Sequence, residues 1–272
     1  MNDIQKKELD ILSCFISVCN KLDLSYYLVC GSCLGAVKYG GFIPWDDDID
    51  VGMKREDYEV FLRKAPHLLP EHLFLQSYKS DKAVPFLYAK LRDSRTTFIE
   101  RSTRNLPIHH GVYIDIFPLD GYPEKGKGLF ELKKRIYKLQ QLCAYESDVR
   151  LHTRCFIAAE RILGFHKRTN KTNQKLEKLL RSVSADRSML WCNYGNWQGN
   201  KEYAPKEQYG EGAEAVFEGL KVRIPAGYNA YLTQKYGDWR AELPKDKQKS
   251  HHDYIVCDLE RPYTVYLADL NR

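Results

Sequence analysis

The sequence predicts an α+β fold: a mixed, largely antiparallel sheet flanked by helices, with one helical insertion. Three observations carry that reading. Short strand-like runs at 26–30 (YYLVC), 48–53 and 111–119 (GVYIDIFPL) are set among amphipathic helical stretches. From 124 to 184 the chain turns helical and basic. Strand signals then return at 217–224. With 272 residues, the chain suits one domain, with a core of about 22–122 and 205–255 and an insertion of about 124–185.

Residues 4–22 read as an amphipathic helix, because Leu9, Leu12, Phe15, Ile16 and Cys19 recur three and four apart. It should pack on the sheet and carry no chemistry. The core unit follows: strand 26–30, a Gly31-Ser32 turn into a short helix ending near 39, and strand 48–53. Residues 55–69 are helical, with Tyr58, Phe61 and Leu62 inward and Pro66 and Pro70 near the end. Runs 74–78, 86–91 and 96–100 extend the sheet as short antiparallel strands. Lys90 and Arg92 share parity and hence one face. Residues 188–214 hold Trp191, Tyr194, Trp197, Tyr203 and Tyr209 without a period, 217–224 reads as a strand pair, and 228–236 as a helix closed by Gly237.

The chemistry concentrates where Phe42-Ile43-Pro44-Trp45 leads into Asp46-Asp47-Asp48-Ile49-Asp50-Val51-Gly52, with four acids in five positions. Alternation over 48–51 puts Asp48 and Asp50 on one face; Asp46 shares their parity and Asp47 points away. Two carboxylates roughly 6 Å apart repel by about 3 kcal/mol at an effective dielectric near 20. A divalent cation resolves that repulsion, and hard oxygen ligands suit Mg²⁺ or Mn²⁺ better than zinc. An acid cluster can also be a solvated turn, a helix N-cap or a calcium loop. The flanks favour metal and phosphate, because a strand, a glycine-bearing turn and a helix precede the acids. Asp115, alone in an apolar strand, needs a cation partner, since a buried unpaired charge costs several kcal/mol. It is expected beside Asp48 and Asp50 as a third metal ligand, or else in a salt bridge to Lys90 or Arg92.

Composition narrows the classes. The formal charge of +6 suits anionic substrates or a membrane surface and falls short of a nucleic-acid signature. No run of about 20 apolar residues exists to span a bilayer. The start, MNDIQKKELD, lacks an apolar signal core, so a cytoplasmic location, with peripheral membrane contact, is expected. Eight cysteines then read as reduced thiols, and Cys30-Gly31-Ser32-Cys33 as part of a phosphate turn in preference to a redox or zinc motif.

The segments Tyr27-Leu28-Val29-Cys30-Gly31-Ser32-Cys33-Leu34-Gly35-Ala36-Val37 and Gly41-Phe42-Ile43-Pro44-Trp45-Asp46-Asp47-Asp48-Ile49-Asp50 resemble the LicD family of bacterial phosphocholine transferases, relatives of fukutin-related protein in the nucleotidyltransferase superfamily. The likeness continues through Ala89-Lys90-Leu91-Arg92-Asp93, Tyr113-Ile114-Asp115-Ile116-Phe117-Pro118-Leu119-Asp120-Gly121, Phe217-Glu218-Gly219-Leu220-Lys221 and Ser250-His251-His252, covering about half the chain. Many relatives have a second glycine where this chain has Cys30.

The resemblance implies a nucleotidyltransferase-like core, with Mg²⁺ (or Mn²⁺) on Asp48, Asp50 and Asp115. It implies a CDP-alcohol donor, chiefly CDP-choline, and a glycan or glycolipid acceptor such as teichoic acid, lipopolysaccharide or capsule. Gly31, Ser32, Lys90, Arg92, His251 and His252 are the candidate nucleotide and phosphate contacts. Asp46 is the first choice of general base. The basic insertion is expected to choose the acceptor. The aromatics of 188–214 either pack under a long loop or, for one or two, enclose a quaternary ammonium. Two other functions compete: a CTP-using nucleotidyltransferase releasing pyrophosphate, and a non-catalytic glycan- or choline-binding module.

Overall fold

The computed structural model describes residues 1–145, 158–159, 162–163, 169–195, 199–250 and 253–266. Helix α1 (Asp3–Leu22) starts at a reciprocal cap: the Asn2 side chain accepts from the Gln5 N–H at 2.8 Å, and the Gln5 side chain accepts from the Asn2 N–H at 2.7 Å. Its buried face carries Ile11, Leu12, Phe15, Val18 and Cys19, each aliphatic or aromatic side chain contributing roughly 1.5–3 kcal/mol by burial. Strand β1 (Tyr27–Leu28) leads at once into α2 (Cys30–Lys38). Gly31 and Ser32 thus lie in the first turn of the helix instead of in a turn before it. The residue that reverses the chain is Cys30, held at φ +52°. That left-handed geometry is free only for glycine, which is why a second glycine suits this position.

Strand β2 (Asp50–Lys54) begins two residues later than alternation implied, and α3 (Arg55–Lys64) follows directly. A single 3₁₀ turn carries Pro66 out of that helix, shortening it relative to the 55–69 expectation. Next come β3 (Leu73–Gln76), β4 (Ala89–Asp93), β5 (Thr97–Glu100) and the long β6 (Tyr113–Gly121). Helices α4 (Lys127–Leu142) and α5 (Thr169–Leu180) belong to the insertion. The chain returns with β7 (Leu190–Asn193), β8 (Tyr203–Pro205), the single-turn α6 (Lys206–Tyr209), β9 (Ala213–Phe217), β10 (Leu220–Ile224), α7 (Tyr228–Tyr236) and β11 (Tyr254–Asp258).

Seven strands form one sheet in the order β1-β2-β6-β4-β3, with β7 pairing on the far end of β6 and β8 on β7. Only β2 and β6 run parallel; the other pairs are antiparallel. Two pairings differ from the sequence reading. β5 leaves the main sheet to pair with β11, and the 217–224 pair is a hairpin whose first arm, β9, lies earlier in the chain. The buried face of β6 is closed by α3 through Arg55, whose Nε and Nη2 donate to the two oxygens of Asp120 at 2.7 and 2.6 Å. The insertion is tied to this core by α5. Glu177 lies 3.8 Å from Arg55 and 3.2 Å from Lys79, and Asn173 donates to the carbonyl of Val84 at 2.9 Å. Among the described residues, no helix is long and apolar enough to cross a membrane.

Candidate active site

Register decides which charged groups meet. Asp115 is the pairing partner of Asp50 across the parallel β2–β6 contact and of Lys90 across the antiparallel β6–β4 contact. Residues in direct register share a face, so Asp50, Asp115 and Lys90 form a row across three adjacent strands. The ends of that row are pinned by backbone. Ser32 Oγ accepts from the Asp50 N–H at 2.8 Å, Val29 N–H donates to the Asp50 carbonyl at 3.0 Å, and Asp115 N–H donates to Ile49 at 2.8 Å. Ser32 therefore positions the acid strand, a role different from the free phosphate contact expected of it.

The Asp50 end of the row opens on a cavity of about 410 Å³ lined also by Asp46, Asp48, Gly31, Trp45, Tyr236 and Trp239. Asp47 does not line it. That carboxylate is buried and accepts from Ser250 Oγ at 2.7 Å. A Cβ at Gly31 would stand only 2.7 Å from Asp46 Oδ2, so glycine is what lets the carboxylate lie against the start of α2. The Val29 N-cap offers no side-chain acceptor, and the Cys30 N–H donates to the Tyr231 hydroxyl at 3.1 Å. The positive end of the helix thus faces the acids.

Electrostatics mark the row as unbalanced. Burial, then Asp48, Asp115 and Asp46, push the Asp50 carboxyl well above the usual carboxylate range. Burial also raises Asp115, and the Lys90 cation partly offsets it. The Lys90 ammonium is 2.9 Å from Asp115 Oδ1, yet out of line for a well-formed hydrogen bond to that oxygen. Both sequence-level alternatives for Asp115 thus meet at one carboxylate: a lysine partner on one side and a like-charged neighbour on the other. Arg92 is a correction. It is 1% exposed and donates to Gln76 Oε1 and, at 2.6 Å, to the Gly111 carbonyl, so it braces the sheet instead of facing a phosphate.

Helix α1 is a second correction, because it does bring polar groups to the acids. Gln5 Nε2 donates to the Asp46 carbonyl at 2.7 Å. One turn on, Glu8 is 3% exposed with no hydrogen-bond partner for Oε2, and its carboxyl is raised well above its ordinary value by burial and then by Asp48, Asp47 and Asp46. Gln5 and Glu8 fall on the same three-and-four stripe as Leu12, Phe15 and Cys19. Two polar residues on a buried stripe were the available signal.

The donor chemistry fits a hard divalent cation: Asp48, Asp50 and Asp115 offer only oxygens, and burial followed by like-charged neighbours raises the Asp50 carboxyl. Among the described residues no three acid, histidine or cysteine side chains stand close enough together to hold a metal ion, and Asp115 is instead paired with Lys90. The paired cysteines do not fit a metal. Burial pushes Cys33 up to about 12 and Cys30 well above the usual thiol range, keeping both protonated.

His251 and His252 lie outside the described residues, as does Trp197; Ser250 brings the preceding chain against Asp47. Trp191 and Tyr209 are buried against each other, ring centroids 5.2 Å apart, and Tyr209 packs on Tyr231 at 5.8 Å. Tyr194 is buried beside Phe130. These rings are packing under the return segment. Tyr203 lines a separate 390 Å³ cavity with Lys134, Arg135 and Lys138.

Acids in register on two strands of a mixed sheet lie beside a helix start and a wide cavity. Residues 23–158 match the family described as LicD/FKTN/FKRP, nucleotidyltransferase domain. The chain is 31% identical over 258 residues to the lipopolysaccharide cholinephosphotransferase LicD of Haemophilus influenzae, covering 90% of this chain and 92% of that protein. An uncharacterised protein of Rickettsia prowazekii is 30% identical over 128 residues, 46% of this chain and 44% of its own. The chain belongs to the LicD family.

Proposed function

We propose that this protein transfers phosphocholine from CDP-choline to a sugar hydroxyl of a cell-surface glycan, lipopolysaccharide first, at the cytoplasmic side of the membrane. The observation that carries the reading is the row Asp50–Asp115–Lys90, with Asp46 and Asp48 lining the adjoining cavity. The similarity to a lipopolysaccharide cholinephosphotransferase supports the choice of group and acceptor. The core is read as nucleotidyltransferase-like, as the description of the matching family implies.

Asp48, Asp50 and Asp115 would hold Mg²⁺ (or Mn²⁺), which supplies neutralisation of phosphate charge when bound. Trp45 and Tyr236 offer faces for the nucleoside in the 410 Å³ cavity, and the first turn of α2 at Gly31 presents N–H groups to phosphate. Lys90, released from Asp115, adds positive charge at the distal phosphate. Asp46 accepts the proton of the attacking sugar hydroxyl. That oxygen bonds to the distal phosphorus while the bond to CMP breaks, and CMP departs with the electron pair. The cavity bearing Lys134, Arg135 and Lys138 is the site proposed for an anionic acceptor.

The test is donor carrying labelled distal phosphate, incubated with acceptor glycolipid and Mg²⁺. Label should enter the glycan and unlabelled CMP should be released. CMP joined covalently to the acceptor would establish nucleotidyl transfer in its place.

A further inference from the structure

A third cavity, of about 260 Å³, adjoins the opposite end of the acid row. Phe86, Tyr88, Lys90, Glu100 and Tyr145 line it. Phe86 stacks on Tyr88 at 4.6 Å between centroids, and Tyr88 leans on Phe117 at 4.6 Å. The Lys90 ammonium lies 3.3 Å from the Tyr113 ring centroid and 5.6 Å from those of Phe86 and Tyr88, so this aromatic shell already stabilises one cation. Glu100 accepts from the Tyr113 hydroxyl at 3.1 Å and supplies the opposite charge. One ammonium, one carboxylate and aromatic walls share a single small space.

We propose that this cavity receives the alcohol end of the donor, with the phosphate at Lys90 and a quaternary ammonium against Tyr88, Tyr145 and Glu100. The assignment rests on the phosphocholine reading and adds which residues select choline. A quaternary ammonium has no N–H to donate, so it is recognised by ring faces and by a carboxylate at van der Waals distance. Phosphocholine carries its two charges a short spacer apart, and the cavity offers their complements, Lys90 and Glu100, on either side of the Tyr113 ring contact. Lys90 also touches Asp115, so a phosphate there lies at the end of the acid row. The other cavities suit choline less well. The one at Lys134, Arg135 and Lys138 also holds Glu131 and Glu202 but carries three basic side chains against two acids, and the 410 Å³ space is broad enough for the nucleoside.

The experiment compares phosphocholine with neohexyl phosphate, the isostere in which carbon replaces nitrogen and the head group alone loses its charge. Binding to the full chain is measured by calorimetry, and kcat/KM with the two corresponding CDP-alcohols. Wild type should favour choline by about 10-fold, within the roughly 2- to 30-fold that aromatic faces provide. Glu100→Gln and Tyr145→Leu should each reduce that preference to about 3-fold or less, while Tyr145→Phe, which keeps the ring, should retain it and guard against a general folding defect. Unchanged preference in both variants, no preference in wild type, or loss of preference on Trp45→Leu would overturn the assignment. Absence of turnover with either CDP-alcohol would instead overturn the transfer reading, and calorimetry would still decide the pocket.

Discussion

Asp115 and Asp120 lie on the same strand, β6, and both are buried, at 8% and 0% exposure. Their parity differs, so they face opposite sides of the sheet. Asp120 is saturated: Arg55 grips both oxygens in a two-pronged pair. Asp115 has one poorly aligned lysine and a like-charged neighbour in register. One strand thus carries a carboxylate whose charge is fully answered and another whose charge is not. The first holds a helix to the sheet; the second is left free to change partners. Burial raises both carboxyls, so completeness of pairing, more than burial, separates the two acids.

The sharpest way to break this contrast is Asp120→Ala. It removes the two-pronged partner of Arg55, leaving Glu59 at 3.2 Å and Glu177 at 3.8 Å, and unfolding by denaturant should show a loss of about 3 kcal/mol. A variant as stable as wild type would remove the distinction. Asp115→Asn and Asp50→Asn should do the reverse. Transfer should fall by about 10²–10³-fold, as when a charge-stabilising group is deleted, while stability changes by about 1 kcal/mol or less. Asp47→Asn, which can still accept from Ser250, should leave transfer nearly intact.

A pH series sharpens the comparison with a third pair of buried groups, just before β6. Burial and then the Arg92 cation hold His109 down to about 3 and His110 down to about 4. Their folded values lie below the unfolded one near 6.5, so the unfolded chain binds protons first as pH falls. Stability is therefore full above about pH 6.5 and drains away towards about pH 4, by about 2 kcal/mol per histidine at pH 5. Melting curves of wild type against a His109→Gln/His110→Gln double variant should converge at neutral pH apart from a fixed packing offset and differ in slope below it.

The smallest expected effect belongs to Glu8→Gln. The Glu8 carboxyl is raised, so its contribution is favourable below the unfolded value near 4.3 and is lost as pH rises. In EDTA the variant should melt higher at pH 7, by about 1 kcal/mol, and the gain should vanish near pH 4. A gain that persists at pH 4 would assign the effect to packing.

Much of this site was legible in the residues. Alternation through Asp48-Ile49-Asp50-Val51 separated Asp47 from its neighbours, and a lone acid among Ile114, Ile116 and Phe117 pointed to a partner for Asp115. What remained hidden was pairing between distant segments. Nothing local says that β5 joins β11, or that Gln5 reaches the Asp46 carbonyl across 41 positions. Arg92 was misread because strand parity gives a direction but not what fills it, here Gln76 and the Gly111 carbonyl. The aromatic return segment was open for the same reason: periodicity is absent where long-range packing sets the order.

The position of β6 governs the birth of the molecule as well. It sits in the middle of β1-β2-β6-β4-β3 but is the last of those five to be synthesised. Until it emerges, β2 and β4 have no partner between them, and a parallel pairing that closes a loop of some sixty residues must wait on its arrival. Assembly of the acid row is thereby coupled to a non-local step of folding. A nascent chain stalled before Tyr113 presents two unfilled strand edges, the form in which a sheet protein most readily associates with another copy or engages a chaperone.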